Sequence, residues 1–163
     1  VKPFLFSLAL SLVSIGASVP ALVMAETVDI ASQDADMNAA IEDARKHLPI
    51  FLSAADRLGQ SDEKLVVKWG KTLTNAPIER EHIWVTLNRI DGTTLTGTLD
   101  NQPENFPGAI GDEVAFDLAE VSDWMIIQGN GKMQGAWTLR VLLPEFSQED
   151  QDYFQSILLP LPN

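Results

Sequence analysis

The apolar residues of this chain change period at Gly59, and that change sets its fold class. Before it, Met37, Ile41, Ala44, Leu48, Phe51, Ala55 and Leu58 recur at spacings of 4, 3, 4, 3, 4 and 3, which places them on one helical face. Asp36 stands where an N-cap belongs and Gly59 where a helix stops. The pattern predicts a long N-terminal helix. Pro49 lacks the N–H that the helical ladder needs, so a kink or two abutting helices is expected there.

After Gly59 the pattern is that of strands, over residues 65–69, 81–90, 93–99, 113–118, 121–128 and 133–143. Asp91-Gly92 and Asn130-Gly131 are two-residue hairpin signals, and residues 70–80 and 100–111 are loops. Consecutive strands joined by tight turns make an antiparallel sheet. The central strand carries bulk on both faces, Ile83, Val85 and Leu87 on one and Trp84 and Ile90 on the other. The expectation is an α+β fold: a long N-terminal helix on a strongly curved antiparallel sheet, or small partly open barrel, of about six strands. Ser147, with Asp150 three residues on, caps a short C-terminal helix whose apolar face is Tyr153, Phe154, Ile157 and Leu158.

The two turns also predict registers. With Asp91-Gly92 as the turn, Ile90 pairs with Thr93, Trp84 faces Leu99 and His82 faces Asn101. With Asn130-Gly131 as the turn, Trp124 faces Trp137 and Asp123 faces Thr138. A bulge in either ladder shifts these pairs by one.

The N-terminus has a different character. Lys2 precedes an apolar run over residues 4–13, broken by Ser7 and Ser11, and Ala21-Leu22-Val23-Met24-Ala25 follows Pro20. That is the order of a secretory signal peptide, with cleavage after Ala25. A spanning helix needs about 20 mostly apolar residues; Ser14, Gly16, Ser18 and Pro20 interrupt this one, so no stable membrane span is expected after cleavage. The organisation read is a signal peptide over 1–25, a flexible lead-in over 26–35, an α+β domain over 36–146, and a C-terminal helix and tail over 147–163. The expected location is the periplasm or the extracellular space.

Loss of Lys2 takes the 11 Lys and Arg residues to 10, against 23 Asp and Glu, a net charge of −13. No basic residue lies between Arg89 and Lys132, a stretch that holds Asp91, Asp100, Glu104, Asp112, Glu113, Asp117, Glu120 and Asp123. Such a field repels phosphate backbones, which excludes nucleic acid and favours a protein partner with a basic surface.

Residues that carry chemistry are sparse. There are two His, no Cys and no H-E-x-x-H spacing, so neither a metal site nor a cofactor is expected. Glu81 and His82 alternate faces on a strand and cannot form a dyad, and no catalytic set is apparent. Trp84, Trp124 and Trp137 read first as core. The candidate ligand- or partner-binding residues are His82, Trp84, Asn101, Asp123 and Trp124, grouped by the hairpin registers beside the 100–111 loop.

Several ordered blocks carry a family resemblance: Met37-Asn38-Ala39-Ala40-Ile41, Leu48-Pro49-Ile50-Phe51, Glu81-His82-Ile83-Trp84-Val85, Gly97-Thr98-Leu99-Asp100-Asn101-Gln102-Pro103, Gly111-Asp112-Glu113-Val114, Ser122-Asp123-Trp124-Met125-Ile126 and Thr138-Leu139-Arg140-Val141-Leu142. Together they resemble the YegJ-like proteins, domain of unknown function 2314, over about residues 37–143. The resemblance brings no activity with it. In overall style the chain is also similar to immunity proteins of bacterial toxin systems. The leading expectation is a non-enzymatic binding or interaction protein of the cell envelope, an inhibitor or immunity-like protein being one form. The alternative is a small-ligand-binding protein or enzyme using His82, Asn101, Asp123 and Trp124.

Overall fold

The computed structural model describes residues 35–162. The expected signal peptide, and all but the last residue of the expected lead-in, lie outside them. In chain order the elements are α1 (Ala35–Lys46), α2 (Leu48–Ala55), β1 (Lys64–Thr72), β2 (Arg80–Asp91), β3 (Thr94–Leu99), β4 (Glu113–Asp117), β5 (Val121–Ile127), β6 (Met133–Gly135), α3 (Trp137–Leu142) and α4 (Gln148–Ile157), with 3-10 turns at Leu118–Glu120 and Leu143–Glu145.

The six strands form one antiparallel sheet in the order β4-β3-β2-β1-β5-β6. The sheet is open, with β4 and β6 as its outer strands, so the barrel alternative is not what forms. Helices cover both faces instead of closure burying one against itself. Val67, Trp69, Ile83, Val85, Leu95, Trp124 and Ile126 pack with Ala40, Ala44 and Phe51 of α1 and α2. On the other face Val66, Trp84 and Met125 pack with Leu139 of α3 and Phe154 of α4. Burial on both sides accounts for the continuous apolar run of β1, since strands covered on two faces lose the polar alternation.

The long N-terminal helix is two shorter ones, the abutting pair that Pro49 allows. Residue His47 separates α1 from α2 and leaves helical geometry at ψ 6°. Pro49 then sits in the first turn of α2, where its missing N–H removes no bond. The apolar face still points inward: Met37, Ala44 and Phe51 are buried, and Leu48, Ala55 and Leu58 pack at the margin of the core.

The last strand is also corrected. It ends at Gly135 rather than running over residues 133–143. Gly135 (φ +87) and Ala136 (φ +60) are both left-handed, and a Cβ on Gly135 would run into the Trp124 carbonyl. Two such residues end a strand, and Trp137 begins α3. At α4 the Ser147 hydroxyl accepts from the Asp150 N–H as expected. Phe154 is buried, but Tyr153 is 41% exposed and belongs to the outer side of that helix.

Both hairpin registers move. The first turn is Gly92-Thr93, with Asp91 opposite Thr94, which moves the pairing by two; a bulge between Leu87 and Arg89 takes one back, so that Val85, not Trp84, lies opposite Leu99. The second turn takes three residues: the Gln128 N–H donates to Lys132 O, and Ile127 faces Met133. The Trp124 and Trp137 rings meet nonetheless, edge to face at 4.7 Å, because Trp137 opens α3 directly past Gly135.

Candidate functional site

On the α3/α4 side of the sheet a polar cluster is set among apolar residues. Strand alternation puts Lys68 (β1) on that face with Val66, and His82 (β2) with Trp84; Asp123 (β5) shares it with Met125. Lys68 and Asp123 are direct partners in the β1–β5 ladder. Lys68 Nζ donates to Thr138 Oγ1 at 3.0 Å, and Thr138 Oγ1 donates to Asp123 Oδ2 at 2.6 Å. The ammonium thus reaches the carboxylate through one hydroxyl.

Asp123 is fully buried and takes further bonds from three backbone N–H groups: Trp124 at 2.7 Å and Trp137 at 3.2 Å on Oδ1, and Thr138 at 2.8 Å on Oδ2. Two of these donors open α3, so the carboxylate caps the first turn of that helix. Burial pushes the Asp123 carboxyl above the usual carboxylate range, against the pull of Lys68 and these bonds. Burial likewise lowers the Lys68 ammonium, against the field of Asp123. Lys68 also lies 5.0 Å from the centre of the Trp84 ring, a cation–π contact.

His82 is half-buried beside this pair. Its Nδ1 lies 2.8 Å from Ser122 Oγ, and the Ser122 hydroxyl donates to Lys68 O at 3.0 Å. Burial first, then the charges of Lys68, Arg80 and Arg45, lower the imidazole from 6.5 to about 4. It is therefore neutral at pH 7, and with the Ser122 hydrogen committed to a carbonyl it donates from Nδ1. A buried serine bonded in this way is held in the backbone ladder, where it fixes the ring.

The expected binding residues are only partly brought together. His82, Trp84 and Asp123 share one face, and Trp124 faces the opposite core, its Nε1–H donating to Ala44 O at 2.8 Å. Asn101 is not opposite His82. Its Oδ1 accepts the Trp84 N–H at 2.8 Å, continuing the sheet one step past the end of β3. The shift is the net of the turn at Gly92-Thr93, which moves the pairing by two, and the β2 bulge, which takes one back. Asp123 and Thr138 do meet, though from a strand and a helix rather than across a ladder.

Three further polar residues belong with the site and its surroundings. Lys68 is the lone charge in Leu65-Val66-Val67-Lys68-Trp69, and a charge inside an apolar strand is the signal that finds it. Ser122 carries no pattern of its own. Glu81 is 2% exposed, and its two carboxylate oxygens accept from Glu104 N at 2.7 Å and Asn105 N at 2.9 Å, clamping the 100–112 loop to β2. Among the described residues no group of three or more His, Cys, Asp or Glu is placed to hold a metal ion, and no helix is long and apolar enough to cross a membrane.

Comparison with known proteins bears on the family. Over 72 residues the chain is 28% identical to a putative ankyrin repeat protein of Neisseria meningitidis serogroup B (strain ATCC BAA-335 / MC58). That stretch is 44% of this chain and spans only 28% of the relative's length. No solved structure matches. A family model described as "uncharacterized protein conserved in bacteria", domain of unknown function 2314, matches residues 34–158, from the first described helix through α4. The chain belongs to that bacterial family, the one its sequence blocks resemble.

Proposed function

We propose that this domain is a non-enzymatic binding protein of the cell envelope that engages a basic protein surface through the 100–112 loop and the adjoining strand β4. The observation that carries this reading is the presentation of Ile110. It is 63% exposed, the most exposed large apolar side chain among the described residues, and exposed Glu104, Asp112 and Glu113 lie near it in the loop and at the start of β4. The loop is held in shape. Glu81 clamps it from below, Gln102 Nε2 donates to Gly108 O at 2.8 Å, and Ala109 N donates to Asp112 Oδ2 at 2.8 Å. Gly111 N and Leu99 O close it at 2.8 Å. An apolar tip on a fixed loop with an acidic border loses little entropy on binding and selects a basic partner.

The polar residues of the sheet support the non-enzymatic reading, because Asp123, Asn101, Glu81 and Ser122 are each committed to bonds within the fold. Location in the envelope rests on the signal-like N-terminus, and N-terminal sequencing of exported material should begin at Glu26 or within a few residues. The partner is tested by isolating complexes formed on the exported protein and on an Ile110→Lys variant of unchanged circular dichroism. A basic protein in stoichiometric amount, lost with the variant and weakened by salt, is the expected result. Equal recovery with both proteins, or a co-purifying small molecule in place of a protein, overturns the reading.

A further inference from the structure

In a chain of net charge −12, one corner of the sheet gathers cations. Arg80 and His82 cross over the backbone of Gly70: a Cβ there would lie 3.0 Å from Arg80 Cδ and 3.2 Å from His82 Cε1. Lys68 is two residues along β1 on the same face. Arg45 arrives from α1 and donates Nε–H to Val121 O at 3.0 Å, next to the Ser122 that holds His82. Among the described residues the ion pairs are Arg57 with Glu63 and Lys64 with Asp100; Arg45, Lys68 and Arg80 have no carboxylate within that distance. Arg80 keeps only a long 3.5 Å bond from Nη2 to Thr72 Oγ1. These groups are graded in depth, with Lys68 buried, the neutral His82 half-buried, and Arg45 and Arg80 at the surface.

We infer that Arg45, Arg80, Lys68 and His82 form a binding site for a small oxyanion, a phosphate or carboxylate group. Lys68 is matched by Asp123 through Thr138, but Arg45 and Arg80 stand without a carboxylate at ion-pair distance among the described residues, and an anion between them relieves their repulsion. The guanidinium forks match the paired oxygens of either group, and Lys68 adds a point charge from below. Burial first, and then the charges of Lys68, Arg80 and Arg45, hold the His82 imidazole low. The acidic surplus elsewhere does not forbid this, because salt screens surface charge over about 8 Å at physiological ionic strength. The site does not use Ile110 and goes beyond the partner-binding reading, so either can fail without the other.

The test titrates inorganic phosphate and, separately, succinate, with sodium chloride holding ionic strength constant. The readouts are thermal midpoint and the His82 imidazole resonance. Saturable movement of both, with affinity in the millimolar range, is expected. Phosphate alone identifies a phosphate ligand, and succinate alone a carboxylate. Arg80→Gln and Arg45→Gln, each compared at unchanged circular dichroism, should weaken binding roughly ten-fold, whereas Lys132→Gln should leave binding unchanged. No saturable response up to about 50 mM of either anion, or equal affinity in the Arg45→Gln, Arg80→Gln double variant, overturns the inference.

Discussion

Replacing Thr138 by Val removes the hydroxyl that joins Lys68 to Asp123 and leaves the side-chain volume nearly unchanged. Two charge-assisted hydrogen bonds are lost, the 3.0 Å bond from Lys68 Nζ and the 2.6 Å bond to Asp123 Oδ2. Bonds to charged groups contribute about 1.5–3 kcal/mol each. The two ends then differ. Asp123 keeps three backbone donors, so its loss lies at the low end. Lys68 keeps only the Trp84 ring at 5.0 Å and is left a buried ammonium with no acceptor. The expected cost is about 3–4 kcal/mol, or a fall in melting temperature of roughly 10–15 °C for a domain of this size. Urea unfolding followed by tryptophan fluorescence suits the measurement, since Trp69, Trp84, Trp124 and Trp137 are all buried. The midpoint should move with m unchanged. Thr138→Ser keeps the bridge and should lose about 1 kcal/mol, the methyl term alone. If Val costs less than about 1 kcal/mol, or Ser costs as much as Val, the bridge does not hold the two charges as described.

The remaining predictions concern pH and the backbone. His82 has a folded pKa of about 4, below its ordinary 6.5, so the unfolded chain takes up this proton first as pH falls. Its contribution is complete above pH 6.5 and is lost between 6.5 and 4, on the order of 2 kcal/mol once partial exposure is allowed for. His82→Gln should flatten stability against pH in that window, and parallel curves for the two proteins would contradict this. Asn101→Ala strands the buried Trp84 N–H and should cost about 1–2 kcal/mol in chemical denaturation; no measurable loss would mean that this bond does not hold the loop. Gly135→Ala forces a side chain onto φ +87 and into the Trp124 carbonyl, a cost of more than about 2 kcal/mol. Gly59→Ala, also left-handed but with open space around it, should cost only about 1 kcal/mol, and equal losses at both sites would remove the steric part of the argument.

Each half of the site was legible to a different degree. The strand bearing His82 and Trp84 follows from alternation, whereas Asp123 and Thr138, expected to face each other across the Asn130-Gly131 hairpin, meet because Thr138 lies in the first turn of α3. The partner of Asn101 did not follow. The bulge between Leu87 and Arg89 is one extra residue in a ladder, and neither Asn88 nor its neighbours carry a residue type that announces it. The turn also sits one residue later than Asp91-Gly92, which moves the pairing by two, and the bulge takes one back; that net step of one puts Asn101 on the Trp84 N–H instead of opposite His82. Lys68 was visible as a charge in an apolar strand, but its bond to Thr138 joins residues 70 apart in sequence, a distance over which local patterning says nothing.

By itself the sequence determined whatever depends on near neighbours along the chain. The apolar face of α1 and α2, the strand segments, the Ser147 cap and the short C-terminal helix all follow from spacing and local hydrogen-bonding chemistry. Tertiary structure decided where the chain must choose between local options of similar energy. The stretch after Gly135 carries β-branched and bulky residues that suit a strand, yet it forms α3, because the backbone of Gly135 is pressed against the Trp124 carbonyl and Asp123 supplies acceptors for the first N–H groups of a helix. The sheet stays open for a related reason. Leu139 and Phe154 cover its second face, and that burial, between residues far apart in sequence, stabilises the open form where closure would otherwise be needed to hide the same surface.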